Sequence, residues 1–425
     1  MVVSALYNMV DTLFVGQGVG PLAISALTIV LPIQLVIMAI GIMVGVGSAS
    51  VISRSLGAND KEKALKSAGT GIVLTILLSI LFMIPAYILI DKILYFFGAS
   101  PNTFAMAKDY MVIILIGFVS FSFAILANNL IRAEGKPRAS MYTMIIGAVC
   151  NIILDPVFIF VFNMGVRGAA IATIISQFLS LLFAVSFFIS KRSIYILKLR
   201  YFKPDLKLTR EILAIGFPSF ALQILGSVIF LIFNRSIIHY GDDLYVAVMG
   251  IGLRIMSLIE MPIIGITQGF STLVSFNYGA RLFSRIKKIF KEALIWTVFI
   301  AGTGFIIMMF FPEQIIGIFT KDKSLILMGI LPIRIIIIFL PFLGFQILGG
   351  SLFQAIGKTL PALIITMSRQ LLLLIPALLA LPLFFDLTGV WMAIPVSNFF
   401  SIILTFGFVY WQIKQFNRIK DVPAD

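Results

Sequence analysis

One cysteine and one histidine in 425 residues leave no material for a disulfide framework, and none for a soft-metal site built from thiolates and imidazoles. Charge is scarce too. Only 12% of the residues are Asp, Glu, Lys or Arg, against about 25% in a soluble domain. There is no HExxH pair, no GxSxG elbow and no phosphate-cradling GxxxxGK[ST] loop, so the chain is not expected to be an enzyme. Apolar residues fill the space that these absences leave: 60% of the chain, with 40 Phe and 18 Met.

The apolar residues fall in twelve stretches, near 1–16, 22–52, 68–90, 110–131, 140–162, 169–190, 212–239, 245–276, 293–319, 325–354, 360–385 and 388–413. All but the first reach the roughly 20 residues with which a helix crosses a hydrocarbon core of about 30 Å. Barrel strands would instead alternate over about ten residues. The expected fold class is therefore an all-α integral membrane protein with twelve transmembrane helices. Met1–Gly16 is short for a span and has no basic leader, so it reads as an N-terminally truncated first helix rather than a signal peptide. Asp421–Asp425 adds nothing to the spans. His239, at the outer end of a span, reads as an interfacial residue.

A net charge of +14 raises the question of nucleic acid, and the placement of the charges argues against it. Of the 32 Lys and Arg, 23 fall in alternate loops: Arg54 to Lys66, Arg132 to Arg138, Lys191 to Arg210, Arg281 to Lys291, Lys358, and the tail from Lys414 to Lys420. Five lie on the opposite side, and four lie inside spans. Positive loops stay cytoplasmic. Both termini are thus expected in the cytoplasm, in a multi-pass protein of the cell membrane with lipid, and no nucleic acid, as its surroundings.

An internal repeat organises the spans. Leu56-Gly57-Ala58 returns as Tyr278-Gly279-Ala280, and Ala133-Glu134-Gly135-Lys136 as Ala355-Ile356-Gly357-Lys358, both at an offset of 222. The shared offset and shared loop position divide the chain into a six-helix lobe over 1–190, a basic cytoplasmic linker over 191–211 and a second six-helix lobe over 212–425. An even number of spans per repeat gives the halves the same orientation.

Asp155 is the most informative single residue, because a carboxylate at membrane depth is costly unless a partner, a proton or a cation neutralises it. Met144, Asn151 and Asp155, spaced by seven and four, share one helical face. Pro156 removes a main-chain donor and frees a carbonyl beside the acid. In the next span Thr173 and Gln177 form another i, i+4 pair. Asp11, with Tyr7 one turn earlier, lies near the outer end of span one at a depth similar to that of Asp155. Such oxygens suit Na+ or a proton; alternatively, Thr173, Gln177 and Asn128 serve only to hydrogen-bond helices together.

Leu6-Tyr7-Asn8-Met9-Val10-Asp11-Thr12-Leu13-Phe14-Val15-Gly16, Arg132-Ala133-Glu134-Gly135-Lys136-Pro137, Asn151 to Pro156, and Gly165-Val166-Arg167-Gly168-Ala169-Ala170-Ile171-Ala172-Thr173 together resemble the multidrug and toxic compound extrusion (MATE) family. The resemblance covers nearly the whole chain. It implies a V-shaped transporter of two six-helix bundles that exports organic, often cationic and amphiphilic compounds in exchange for Na+ or H+. No organic cofactor is expected, and the chain is expected to act as a monomer. It further implies that Asp11, Asn151, Asp155 and Thr173 make the cation or proton site of the N-terminal lobe. Tyr7, Asn128, Met144 and Gln177 would line the neighbouring substrate cavity.

The second lobe is harder to read. Glu260 lies near mid-membrane, and Arg254, Arg334 and Arg369 also fall inside spans. Glu260 is either half of a structural ion pair with one of them or a second coupling or substrate site. A flippase for lipid-linked saccharides or other lipids is the alternative function, for which these arginines would bind phosphate. The repeat partner of Asp11 lies near Asn234, a neutral residue, so the halves are expected to differ in role.

Overall fold

The computed structural model describes residues 14–15, 17–190, 193–194, 198–203, 205–241, 243–319, 322–419 and 421. Among them every regular element is a helix. In hydrocarbon each backbone N–H and C=O must find its partner within the segment, which leaves long apolar runs no other open form. Among the described residues nine helices are long and apolar enough to cross a membrane, and each of two bent pairs adds one more span, giving up to eleven.

The chain divides into two compact units, Met1–Gln223 and Ile224–Asp425. In the first, α1 (Pro21–Gly57) packs on α2 (Lys61–Ile88), followed by a short α3 (Ile90–Phe96). α4 (Pro101–Ile116) and α5 (Phe118–Ala133) form one span bent by 54° at Gly117. α6 (Pro137–Pro156) passes into a π-helical turn, Val157–Val161, and packs against α7 (Gly165–Ile189). The long α8 (Leu206–Tyr240) begins in the first unit and ends in the second.

The second unit continues with α9 (Asp243–Gly279), α10 (Phe283–Phe310) and the short α11 (Pro312–Phe319). α12 (Lys323–Ile336) and α13 (Leu343–Ala355) form the second bent span, at 47°. α14 (Thr359–Met367) runs into a π-helix, Ser368–Leu374, then α15 (Ile375–Ala380) and α16 (Pro382–Arg418), which is kinked at Asp386.

Local chemistry sets several of these starts. Asp60 accepts a hydrogen bond from Lys63 N at 2.9 Å and caps α2, and Asp322 caps α12 through Ser324 N at 2.9 Å. Pro101 and Pro137 occupy first-turn positions, where a missing N–H costs nothing.

The repeat is visible in atomic detail. Ser53 Oγ donates to the carbonyl of Ala133 at 3.2 Å, and Ser275 Oγ to that of Ala355 at 2.9 Å. Left-handed φ angles recur at Asn59 (58°) and Arg281 (56°), and at Gly135 (83°) and Gly357 (78°). The lysine of each loop caps an aromatic ring of its own unit: Lys136 over Phe187 at 5.4 Å, Lys358 over Trp411 at 4.8 Å.

Three of the apolar stretches are more broken than their hydropathy indicates. Each of 110–131 and 325–354 crosses the break of a bent span. The stretch 293–319 is a helix only to Phe310, after which Pro312 starts a separate short helix because it cannot continue the hydrogen-bond ladder.

Candidate functional site: a buried carboxylate in the first unit

The buried face of α6 reads Ser140, Thr143, Gly147, Ala148, Asn151 and Asp155. Asp155 is 0% exposed and Asn151 2%. One turn apart on the helix, they meet directly: Asn151 Nδ2 donates to Asp155 Oδ1 at 3.1 Å. The amide oxygen of Asn151 is buried with no hydrogen-bond partner among the described residues, so the pair presents an unsatisfied acceptor beside a carboxylate. That is the donor set of a hard cation or a shared proton.

The backbone changes character at this point. After Pro156 the helix widens, with Val157 O accepting from Phe162 N at 3.0 Å, a bond reaching five residues on. π-turns of this kind cluster at functional positions. Gly168 of α7 approaches the widened turn so closely that a Cβ there would lie 2.8 Å from the Phe158 carbonyl.

α7 packs antiparallel to α6. Gly147 lies against Ser176 and Ser180, and Ser180 Oγ donates to the carbonyl of Thr143 at 2.7 Å. This register sets Thr173 at about the depth of Asn151. Thr173 and Gln177 are half-buried, and no hydrogen bond among the described residues joins either to Asn151.

Asn128 of α5 is engaged elsewhere: its Nδ2 donates to Ser140 O and to Thr143 Oγ1, both at 2.7 Å. The structure therefore brings Asn128 to Thr143, two turns from Asn151, with the half-buried Met144 beside it. Ser140, Thr143 and Ser180 were not among the expected residues. The small and polar ladder at four-residue spacing, Thr143-Gly147-Asn151-Asp155, was the available signal. Asp11 and Tyr7 lie outside the described residues.

The equivalent helix of the second unit carries none of this chemistry. At the offset of 222, Asn151 corresponds to Leu373, Asp155 to Ala377, and Gly147 to Arg369. Arg369 stands in the second π-helix, and no ion pair within 4 Å joins Glu260 of α9 to an arginine among the described residues. Arg254 and Arg334 are exposed, and Arg334 Nε donates to the carbonyl of Met309 at 3.2 Å, near the end of α10.

Comparison with known proteins places this arrangement. The family model described as MatE matches residues 1–157 and 218–379. The chain is 30% identical over 390 residues to the multidrug export protein MepA of Staphylococcus saprophyticus, covering 91% of this chain and 85% of that one. MepA of Staphylococcus aureus strain MRSA252 matches to the same extent. Among solved structures, a MATE transporter crystallised with MaL6 superposes with a TM-score of 0.92 at 29% identity, covering 98% of this chain and 94% of that one. The outward-facing conformation of a multidrug resistance MATE family transporter of the MOP superfamily also gives 0.92 at 29% identity, over 99% and 94%. The twelve-helix membrane fold is common to them, and the chain belongs to the MatE family, the multidrug and toxic compound extrusion transporters.

Proposed function

We propose that this protein is a secondary antiporter that exports small organic, often cationic and amphiphilic compounds across the cell membrane in exchange for Na+ or H+. Asp155 carries the reading: a carboxylate with no solvent exposure, bonded at 3.1 Å by an amide whose own oxygen is left without a described partner. A structural role does not call for a charge at that depth. Membership in the family, and the relatives named as multidrug export proteins, support the substrate class.

Asp155, with Asn151, binds the coupling ion, and Thr173 and Asp11 complete the site. Met144, Asn128, Gln177 and Tyr7 face the substrate. A gradient drives export only if ion and substrate favour different states of the carrier, so ion binding at Asp155 must weaken retention of the exported compound. The asymmetry of basic residues supports a cytoplasmic position for both termini.

The test is transport in proteoliposomes under imposed Na+ or pH gradients. Asp155→Asn, which keeps the shape and removes the charge, abolishes uphill export of a fluorescent organic cation while leaving the protein folded. Undiminished uphill transport by this variant would sink the assignment.

A further inference from the structure

The segment from Lys198 to Arg210 carries five exposed cations: Lys198, Arg200, Lys203, Lys207 and Arg210. It is held in place. Tyr201, 4% exposed, sits in the 3-10 turn Leu199–Phe202, and its carbonyl presses on α2 where a Cβ on Gly69 would overlap it. Two residues beyond Arg210, the carbonyl of Ile212 lies against Gly47 of α1 in the same way.

The neighbouring acids are already engaged. Asp205 Oδ1 accepts from Lys207 N at 2.8 Å and Leu208 N at 3.2 Å, capping α8. Glu211 pairs with Arg54 at 2.9 Å and Lys63 at 3.5 Å, and Glu62 with Lys66 at 3.2 Å. Arg200 spends one donor on the Tyr201 hydroxyl, at 2.6 Å. The side chains of Lys198, Lys203, Lys207 and Arg210 have no partner among the described residues. Among these cations stands Leu206, 84% exposed, in the first turn of a helix apolar enough to span a bilayer.

A fixed row of unpaired cations around an exposed leucine, at the point where a helix enters the bilayer, complements a lipid that carries phosphate above and acyl chain below. We propose that Lys198 to Arg210 is a binding surface for anionic phospholipid in the leaflet from which α8 enters. A soluble acidic partner would satisfy the cations but gives Leu206 no counterpart.

The full chain carrying Cys150→Ser and Thr209→Cys, labelled with bimane, is placed in nanodiscs of phosphatidylcholine and phosphatidylglycerol. Quenching by brominated phosphatidylglycerol is compared with quenching by brominated phosphatidylcholine at equal mole fraction. The anionic lipid is expected to be favoured by about fivefold or more at low salt, the contribution of a single well-placed Lys or Arg. Lys203→Gln, Lys207→Gln and Arg210→Gln combined bring the ratio close to one. Raising the salt on the uncombined parent does the same, a readout that needs no charge variant to fold. Equal quenching by both lipids in the parent overturns the proposal, as does a preference that survives the triple change. Displacement of the brominated anionic lipid by a soluble polyglutamate peptide also overturns it, in favour of an acidic protein partner.

Discussion

At the residue scale, burial and bonding separate side chains that composition treats alike. Asp155 is fully buried with an amide donor, whereas Glu260 is half-buried with no ion pair within 4 Å among the described residues. Asp155→Asn is therefore expected to remove coupling entirely, while Glu260→Gln lowers the transport rate by less; a larger loss at Glu260 in the same liposome assay would reverse the assignment. Glu134 behaves differently again. Its side chain is 0% exposed and accepts from Ile194 N at 2.7 Å and Ser193 Oγ at 2.9 Å, tying the chain after α7 to the loop after α5. Burial holds its carboxyl above the usual carboxylate range, against the opposing pull of those two donors and of Lys136. An acid raised on folding contributes stability that is present in full below its unfolded pKa and is lost as pH rises through the folded value. Thermal unfolding in detergent should thus show stability falling through the window just above the ordinary pKa of glutamate, and Glu134→Gln should flatten that dependence.

At the element scale, long spans were legible because hydrocarbon leaves the backbone only a helix, so hydropathy alone located them. Their breaks were not. Pro341 has no N–H for the carbonyl of Ile337, and the helix stops at Ile336, yet Pro262 and Pro332 sit inside unbroken helices, so a proline alone does not locate a break. At the site, the Asn151–Asp155 pair was legible from its i, i+4 spacing; the bond from Asn128 to Thr143 was not, because partner choice across helices is a tertiary matter. Pro156, which lacks a main-chain donor, is expected to loosen the helix beside the acid, and the π-turn begins directly after it. Pro156→Ala returns the donor that favours an unbroken α-helix, and is expected to lower transport with little effect on stability. Glycines at close helix crossings carry the opposite signature: a Cβ at Gly47 or Gly216 would overlap the carbonyl of Ile212 or Met43. Gly216→Ala should cost about 1–3 kcal/mol or prevent folding, read as a lowered melting temperature by size-exclusion after heating.

At the scale of the whole molecule, the charge asymmetry makes a topological prediction. With Cys150→Ser as background, cysteine at Lys198 is expected to stay unlabelled by an impermeant reagent in sealed cells, and cysteine at Asp243 to be labelled. Labelling of the first would invert the orientation. The repeat makes another: two units share a backbone plan down to the φ angles of their loops, yet Leu373 and Ala377 stand where Asn151 and Asp155 do. Carboxylate chemistry on this helix therefore belongs to the first unit alone.

The reciprocal crossing of α1 and α8 bears on how the protein is made. Gly47 faces the Ile212 carbonyl while Gly216 faces that of Met43, so each helix supplies the recess for the other. α8 nevertheless opens the second half of the repeat. The first unit is thus incomplete when its own sixth span has been synthesised, and its packing must wait on the ribosome until the opening turns of the seventh have emerged.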